Sequence, residues 1–283
     1  MKAVRATLVG GLGNQMFIAA AAAALAERLE VPLELDRAEF RADRVGRTFA
    51  LEVFPALSAR ASEAGPSVAI PAPVRRQIDR WRRDVFTEAG LVYDARFQDI
   101  AKPVRLRGYF QCVRYFHNLD ARALFALPGT SERLSGIRDA VGGEWFAMHI
   151  RRGDYLKSET AAYHGLCSDE YFERALVLVR ELHGRDLPVV IFTDQPDAVS
   201  VRLSERAALI VGPDPSMHEA EDLWAMSHAS GLVMSNSSFS WWAGYLQDRP
   251  GRPVVGPRPW LRFQDHAASD LLLPQWLTLG AQA

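Results

Sequence analysis

The stretch EWFAMHIRRGDY, Glu144 to Tyr155, decides the fold. Its apolar half, Trp145 to Ile150, reads as a buried strand, and Gly153 with Asp154 supplies the turn that ends it. Arg151 and Arg152 are left over, because a strand end does not need two adjacent guanidinium groups. If the strand alternates, His149 and Arg151 point to one face and Arg152 to the other. One arginine can then meet a ligand while the other pairs structurally, with Asp154 as a candidate partner. A planar guanidinium donates bidentate hydrogen bonds and keeps its charge, which suits a diphosphate. A plain Arg–Asp ion pair is the competing reading of the same residues.

Outward from that strand, the second half of the chain alternates. It reads as helix 169–184, strand 188–194, helix 197–206, strand 208–212, helix 219–230, strand 231–236, helix 239–248 and strand 252–257. In the first of these helices Phe172, Leu176, Val179 and Leu182 recur at helical spacing, with Gly184 closing it. The first half opens with a βαβ unit: strand AVRATLV, the turn GGLGNQ, an alanine-rich helix over Met16–Ala26, and strand VPLEL ending at Asp36. A turn-rich stretch at 62–73, a basic helix over 74–83, a strand at 103–110 and a helix over 112–127 follow. Strands alternating with helices imply parallel sheets covered on both faces. The expected fold is α/β, with two facing Rossmann-like lobes (GT-B-like), parallel sheets and an interdomain cleft. The lobes are drawn at 1–135 and 136–283, with the break between Pro128 and Gly143.

Composition narrows the function. The chain has 283 residues, and its 33 Lys and Arg offset 34 Asp and Glu, so no global charge points to nucleic acid or an anionic membrane. Any anion site is therefore local. Cys112 and Cys167 stand far apart and fit a reducing compartment better than a disulfide framework. The apolar run Met16–Ala26 is too short to span a bilayer and is interrupted upstream by GGLGNQ, so it reads as a buried helix and the protein as cytoplasmic, with no transmembrane segment.

Four segments fall at strand ends, where such sheets bind ligands. Besides HIRRGDY, the turn GGLGNQMF carries Gly11 and Gly13, which let a backbone approach a phosphate at a helix start, with Asn14 as the alternative helix cap. SNSSFSWW gathers Ser235, Ser237 and Ser238 before a helix whose Phe239, Trp242 and Leu246 read as core, and Ser238 has an N-cap as its plain role. IFTDQ ends in Asp194, which can accept from a guanine edge or a ribose, or cap the next turn. No Asp-x-Asp pair and no His/Cys grouping at zinc spacing occurs, so no metal and no cofactor is expected. A diphosphate would rely on arginine and backbone donors.

GGLGNQMF, GYFQ, HIRRGDY, EDLWAMSHASGLVMSNSSFSWWAGYL and GPRPW, in this order from about Val9 to Trp260, resemble the α-1,2-fucosyltransferases of glycosyltransferase family 11. The resemblance implies a metal-independent, inverting enzyme that moves L-fucose from GDP-fucose to the 2-hydroxyl of a terminal galactoside. The acceptor would be a galactose-containing oligosaccharide or a lipid-linked glycan. It also implies that the first lobe serves the acceptor and the second the GDP-sugar. Arg151 matches the diphosphate arginine, and His149 and Asp194 match residues near the guanosine. Ser237, Ser238 and Phe239 match a second diphosphate loop, and Asn14 matches a residue close to the transferred sugar. Asp154, inside the motif, and then Glu159 are the candidates for the base that deprotonates the acceptor. Trp224, where the family usually has leucine, and the changed residues near Ala229 and Ser230 bear on the acceptor. The alternatives are an NAD-linked oxidoreductase built on the first βαβ unit, with Asp36 as its ribose carboxylate, and a non-catalytic nucleotide- or sugar-binding module.

Overall fold

The computed structural model describes residues 2–41, 47–64, 74, 84–90, 92–129, 131–153, 165–246, 248–261 and 270–281. The chain divides into two compact units, residues 1–128 and 129–283.

In the first unit a wholly parallel sheet is built from β1 (Val4–Thr7), β2 (Leu33–Asp36), β3 (Ala61–Glu63), β4 (Val85–Thr87) and β5 (Arg105–Arg107), in the order β3-β2-β1-β5-β4. Helix α1 (Leu12–Arg28) follows β1, and its alanine run is buried along its whole length. Small side chains there let the helix lie close to its surroundings while adding the best helix former. The expected helix over 112–127 forms only as a 3₁₀ turn at Val113–Tyr115 and a short helix at Ala121–Leu124. Asp120 restarts the helix by accepting from the Ala123 amide at 3.0 Å, so the chain turns where periodicity suggested continuity. The basic stretch 74–83 lies outside the described residues apart from Val74.

The second unit holds β6 (Phe146–Ile150), β7 (Val189–Thr193), β8 (Leu209–Val211), β9 (Gly231–Val233), β10 (Val254–Arg258) and β11 (Leu277–Gly280). They form one parallel sheet ordered β11-β10-β9-β6-β7-β8. Its long helices are α2 (Glu132–Val141), α3 (Asp169–His183), α4 (Glu219–Ser227) and α5 (Ser238–Leu246). Ser131 and Ser168 cap α2 and α3, and Gly142 and Gly184 close them in the left-handed conformation. The alternation expected of β6 holds: Phe146, Met148 and Ile150 join the core against Phe172, Leu176 and Val179 of α3. Leu182 departs from the expectation, being 52% exposed, because it lies at the helix end beyond the face that meets the sheet. The expected helix 197–206 reduces to a 3₁₀ turn at Pro196–Ala198 and a single turn at Val201–Ser204. Among the described residues, no helix is long and apolar enough to cross a membrane.

Arg252 ties α4 and α5 together from inside. Its Nε donates to Ala229 O at 2.8 Å and its Nη2 to Met226 O at 3.0 Å, while Nη1 lies 3.3 Å from both Ala243 O and Gly244 O. These are the carbonyls that helix ends leave unsatisfied, and a cation is favoured there. Burial lowers its pKa to about 9. Arg252→Met, close in volume but without donors, should cost about 2–5 kcal/mol of stability, since buried carbonyls lose their partners. Urea unfolding with an unchanged m-value checks this.

Candidate active site

In each sheet the strand order reverses direction next to its first strand. β6 has β9 on one side and β7 on the other, and β1 has β5 on one side and β2 on the other. Parallel α/β sheets bind ligands beyond the carboxyl ends of the strands at such a switch point. The two sequence motifs of the second unit, HIRRGDY and SNSSFSWW, leave the adjacent strands β6 and β9 there.

They are joined by a hydrogen bond between His149 Nδ1 and Ser235 Oγ at 2.9 Å, both residues buried. The Phe239 ring lies 5.6 Å from the imidazole. Burial first, and the charge on Arg151 second, push the His149 pKa down to about 3, so the ring is neutral at physiological pH. Ser237 donates its amide to Ser235 O at 2.8 Å, and its hydroxyl accepts the Phe239 amide at 3.3 Å. The capping oxygen of α5 thus comes from Ser237; Ser238, the expected cap, is already the first helical residue and half-buried. Ser240 Oγ donates to Ser235 O and Ser237 O, each at 3.1 Å, and so braces the loop from below. Asn236 secures it further, donating to Gly165 O at 3.1 Å and Trp260 O at 3.2 Å.

The two arginines divide their roles as the alternation of β6 requires. Arg152 is buried: Nη1 donates to Cys167 O at 2.9 Å, and Nη2 meets Asp169 Oδ1 at 3.1 Å at the start of α3. Its described carboxylate partner is Asp169, whereas Asp154 and Glu159 lie outside the described residues. Arg151 is on the other face with its side chain 20% exposed, and its Nη1 lies 3.0 Å from Asp194 Oδ2. Asp194 Oδ1 accepts the Arg152 amide at 2.9 Å. Asp194, at the end of β7, therefore clamps the β6 turn with both oxygens. Gly153 is required beside it, since a Cβ there would collide with the Asp194 carboxylate.

At the switch point of the first unit, Gly10 takes φ +79° and Gly11 is the N-cap of α1, with no side-chain cap. Asn14 does not serve as the cap. Its Oδ1 accepts from Gln111 Nε2 at 2.8 Å, which joins the turn after β1 to GYFQ after β5. Gly13 is buried in the first turn of the helix. Gln15, which sequence reasoning passed over, is fully buried and makes three bonds: to Gly10 O at 3.0 Å, to Thr48 O at 2.8 Å, and from the Ala50 amide at 3.0 Å. A polar residue inside an apolar helix was its only signal. Asp36 is buried, accepts the Ala38 amide at 3.1 Å and lies 3.6 Å from Arg105 Nη1, so its carboxylate is held by its own unit.

The family model described as Glycosyl transferase family 11 matches residues 99–279. The chain belongs to glycosyl transferase family 11. It is a glycosyltransferase enzyme. It is 26% identical to the O-antigen biosynthesis glycosyltransferase WbnK of Escherichia coli, over 96% of this chain and 99% of that one. To an α-1,2-colitosyltransferase of Escherichia coli it is 25% identical, over 99% of each. A galactoside 2-α-L-fucosyltransferase of Bos taurus, SEC1, is 27% identical over 63% of this chain and 52% of its own length. Among solved structures, the NodZ α-1,6-fucosyltransferase co-crystallised with GDP is similar over 87% of this chain and 93% of its own, at 17% identity and a TM-score of 0.50. That likeness is one of fold.

A histidine whose folded pKa lies near 3 and whose unfolded value is near 6.5 takes up its proton only in the unfolded chain between those limits. Stability should therefore fall as pH drops from 6.5 toward 3. The expected result is a melting temperature that declines over this range in the wild type and declines less steeply in His149→Gln.

Proposed function

We propose that this glycosyltransferase moves L-fucose from GDP-fucose to the 2-hydroxyl of a terminal galactoside, with inversion and without a metal ion. The observation that carries the reading is the placement of Arg151. It sits at the carboxyl end of β6, beside the loop that leaves β9, at the switch point of the sheet. Its Nη1 pairs with Asp194 Oδ2 at 3.0 Å, and a guanidinium carries further donors in a planar fork. The start of α5 at Ser238 adds the amide end of a helix, favourable to an anion. The relatives' names support the sugar and the linkage.

In this reading the second unit holds the GDP moiety and the first serves the acceptor. The β-linked sugar undergoes one displacement at its anomeric carbon: the acceptor oxygen bonds as the bond to the β-phosphate oxygen breaks, giving the α-linkage. GDP leaves with the electron pair, and Arg151 with the serine-loop donors stabilises the charge that builds on it. By the family resemblance, His149 and Asp194 match residues near the guanosine, and Asn14, in the turn with Gly11 and Gly13, matches one near the sugar. Asp154, or else Glu159, takes the proton from the acceptor hydroxyl. The acceptor is a galactose-containing oligosaccharide or lipid-linked glycan, and the enzyme works in the cytoplasm.

A second donor has a specific observation behind it, since the α-1,2-colitosyltransferase aligns with 99% of this chain whereas SEC1 aligns with 63%. Colitose differs from fucose by the absence of one ring hydroxyl, so the GDP contacts would be the same.

Incubating the purified protein with GDP-fucose or GDP-colitose, a panel of galactosides and a chelator should give a product heavier than the acceptor by one deoxyhexose residue from the first donor or one dideoxyhexose residue from the second. Product formed only after a divalent cation is added would overturn the metal-free reading. Arg151→Lys keeps the charge but loses the fork. Turnover should fall on the order of hundreds-fold, equivalent to about 2.7–4 kcal/mol of barrier, with the melting temperature unchanged. Normal turnover in that variant would move the diphosphate contact elsewhere.

A further inference from the structure

Ser235 leaves β9 fully buried, and its hydroxyl has one partner among the described residues, His149 Nδ1 at 2.9 Å. Its main chain is pinned as well, since Ser235 O accepts both the Ser237 amide and Ser240 Oγ. A hydroxyl brings one proton to such a pair, and a neutral imidazole brings one proton that either nitrogen can carry. Were that proton on Nδ1, it would go to Oγ, and the Ser235 proton would be buried with no acceptor. The converse leaves nothing unmet: Ser235 donates to Nδ1, and the ring proton sits on Nε2. Buried polar groups are paired, and the bond at one ring nitrogen sets which nitrogen is protonated. The pair therefore settles in the second arrangement.

That arrangement leaves an N–H on Nε2 to be explained. His149 is only 4% exposed, yet Nε2 has no partner among the described residues. Nor is it sealed in, as the unpartnered Trp145 Nε1 and His183 Nδ1 are. A buried ring that keeps one donor open, at the carboxyl end of a strand at the switch point, is placed to meet an acceptor from outside the protein. Arg151, two residues on, shares the strand face by alternation, and its charge adds to burial in keeping the imidazole neutral. The ring is thus a neutral donor beside a cation. We propose that Ser235 is a positioning residue that holds His149 in the Nε2–H form, so that the ring donates a hydrogen bond to an acceptor atom of the guanosine. This rests on the reading that the second unit holds GDP.

Nitrogen NMR of protein carrying ¹⁵N-labelled histidine reads the tautomer directly, and the signal missing from His149→Gln identifies the ring among the 7 histidines. Before any ligand is added the proton should be on Nε2; a proton on Nδ1 overturns the proposal. Calorimetry with GDP then tests the role, with melting temperature followed alongside. Ser235→Ala should bind GDP about tenfold more weakly, the scale of one hydrogen bond, and Ser235→Thr, which keeps the hydroxyl, should restore the affinity. His149→Asn keeps an acceptor for Ser235 but has no group at Nε2, and should lose about as much. His149→Gln puts an amide N–H near the Nε2 position and should recover most of that loss. Adding Ser235→Ala to His149→Asn should cost nothing further. A serine that only stabilises the fold gives other results: Ser235→Ala melts lower with GDP affinity intact, or its loss adds to that of His149→Asn. Either overturns the positioning role and leaves the donor reading standing. A wild type that binds no GDP overturns the donor reading, and this inference with it.

Discussion

The parallel pairing of β6 with β7 on one side and β9 on the other is the constraint on which the rest of the second unit depends. The register sets Met148 beside both Ile191 and Val233, so the three strands end nearly level. Because all run the same way, the residues just past their carboxyl ends are brought together without being near in sequence. Arg151, Asp194 and Ser235 come from three different loops, yet Arg151 meets Asp194, and His149 at the end of β6 meets Ser235. Period-two alternation then sorts the side chains. Met148, Ile150 and Arg152 face α3, while His149 faces the loop that carries the serines and Arg151 meets Asp194.

The loops are held by buried polar side chains rather than by apolar packing. Asn236 ties the serine loop to Gly165 and Trp260, Arg152 ties the β6 turn to Cys167 and Asp169, and Gln15 ties the glycine turn to Thr48 and Ala50. Loop backbones carry amides and carbonyls that no ladder satisfies, so fixing a loop in one shape requires partners for them.

Much of this was legible in the chain. The strands around Phe146–Ile150 and Val189–Thr193, and the buried helix over Met16–Ala26, follow from composition and periodicity, and the structure has them. The different partners of Arg151 and Arg152, Asp194 for one and Cys167 with Asp169 for the other, also followed the alternation. Other features carried no signal. Strand β3, with Ser62 and Glu63 exposed, has no apolar run, and the stretch 112–127 has helical periodicity but breaks at the cap formed by Asp120. Asp169 as partner of Arg152, and Ser237 rather than Ser238 as the cap, depend on how loops return in space.

What the sequence determined by itself is the set of chemical groups and their attachment to strand ends, because alternation and turn residues are local properties of a chain. Only the tertiary structure decided which ends are neighbours. Strand order is fixed by long-range pairing, in which β6 adjoins β9 rather than β8 and β1 adjoins β5 rather than β3. That order makes a pair of His149 with Ser235 in one unit and of Asn14 with Gln111 in the other. No spacing along the chain contains it.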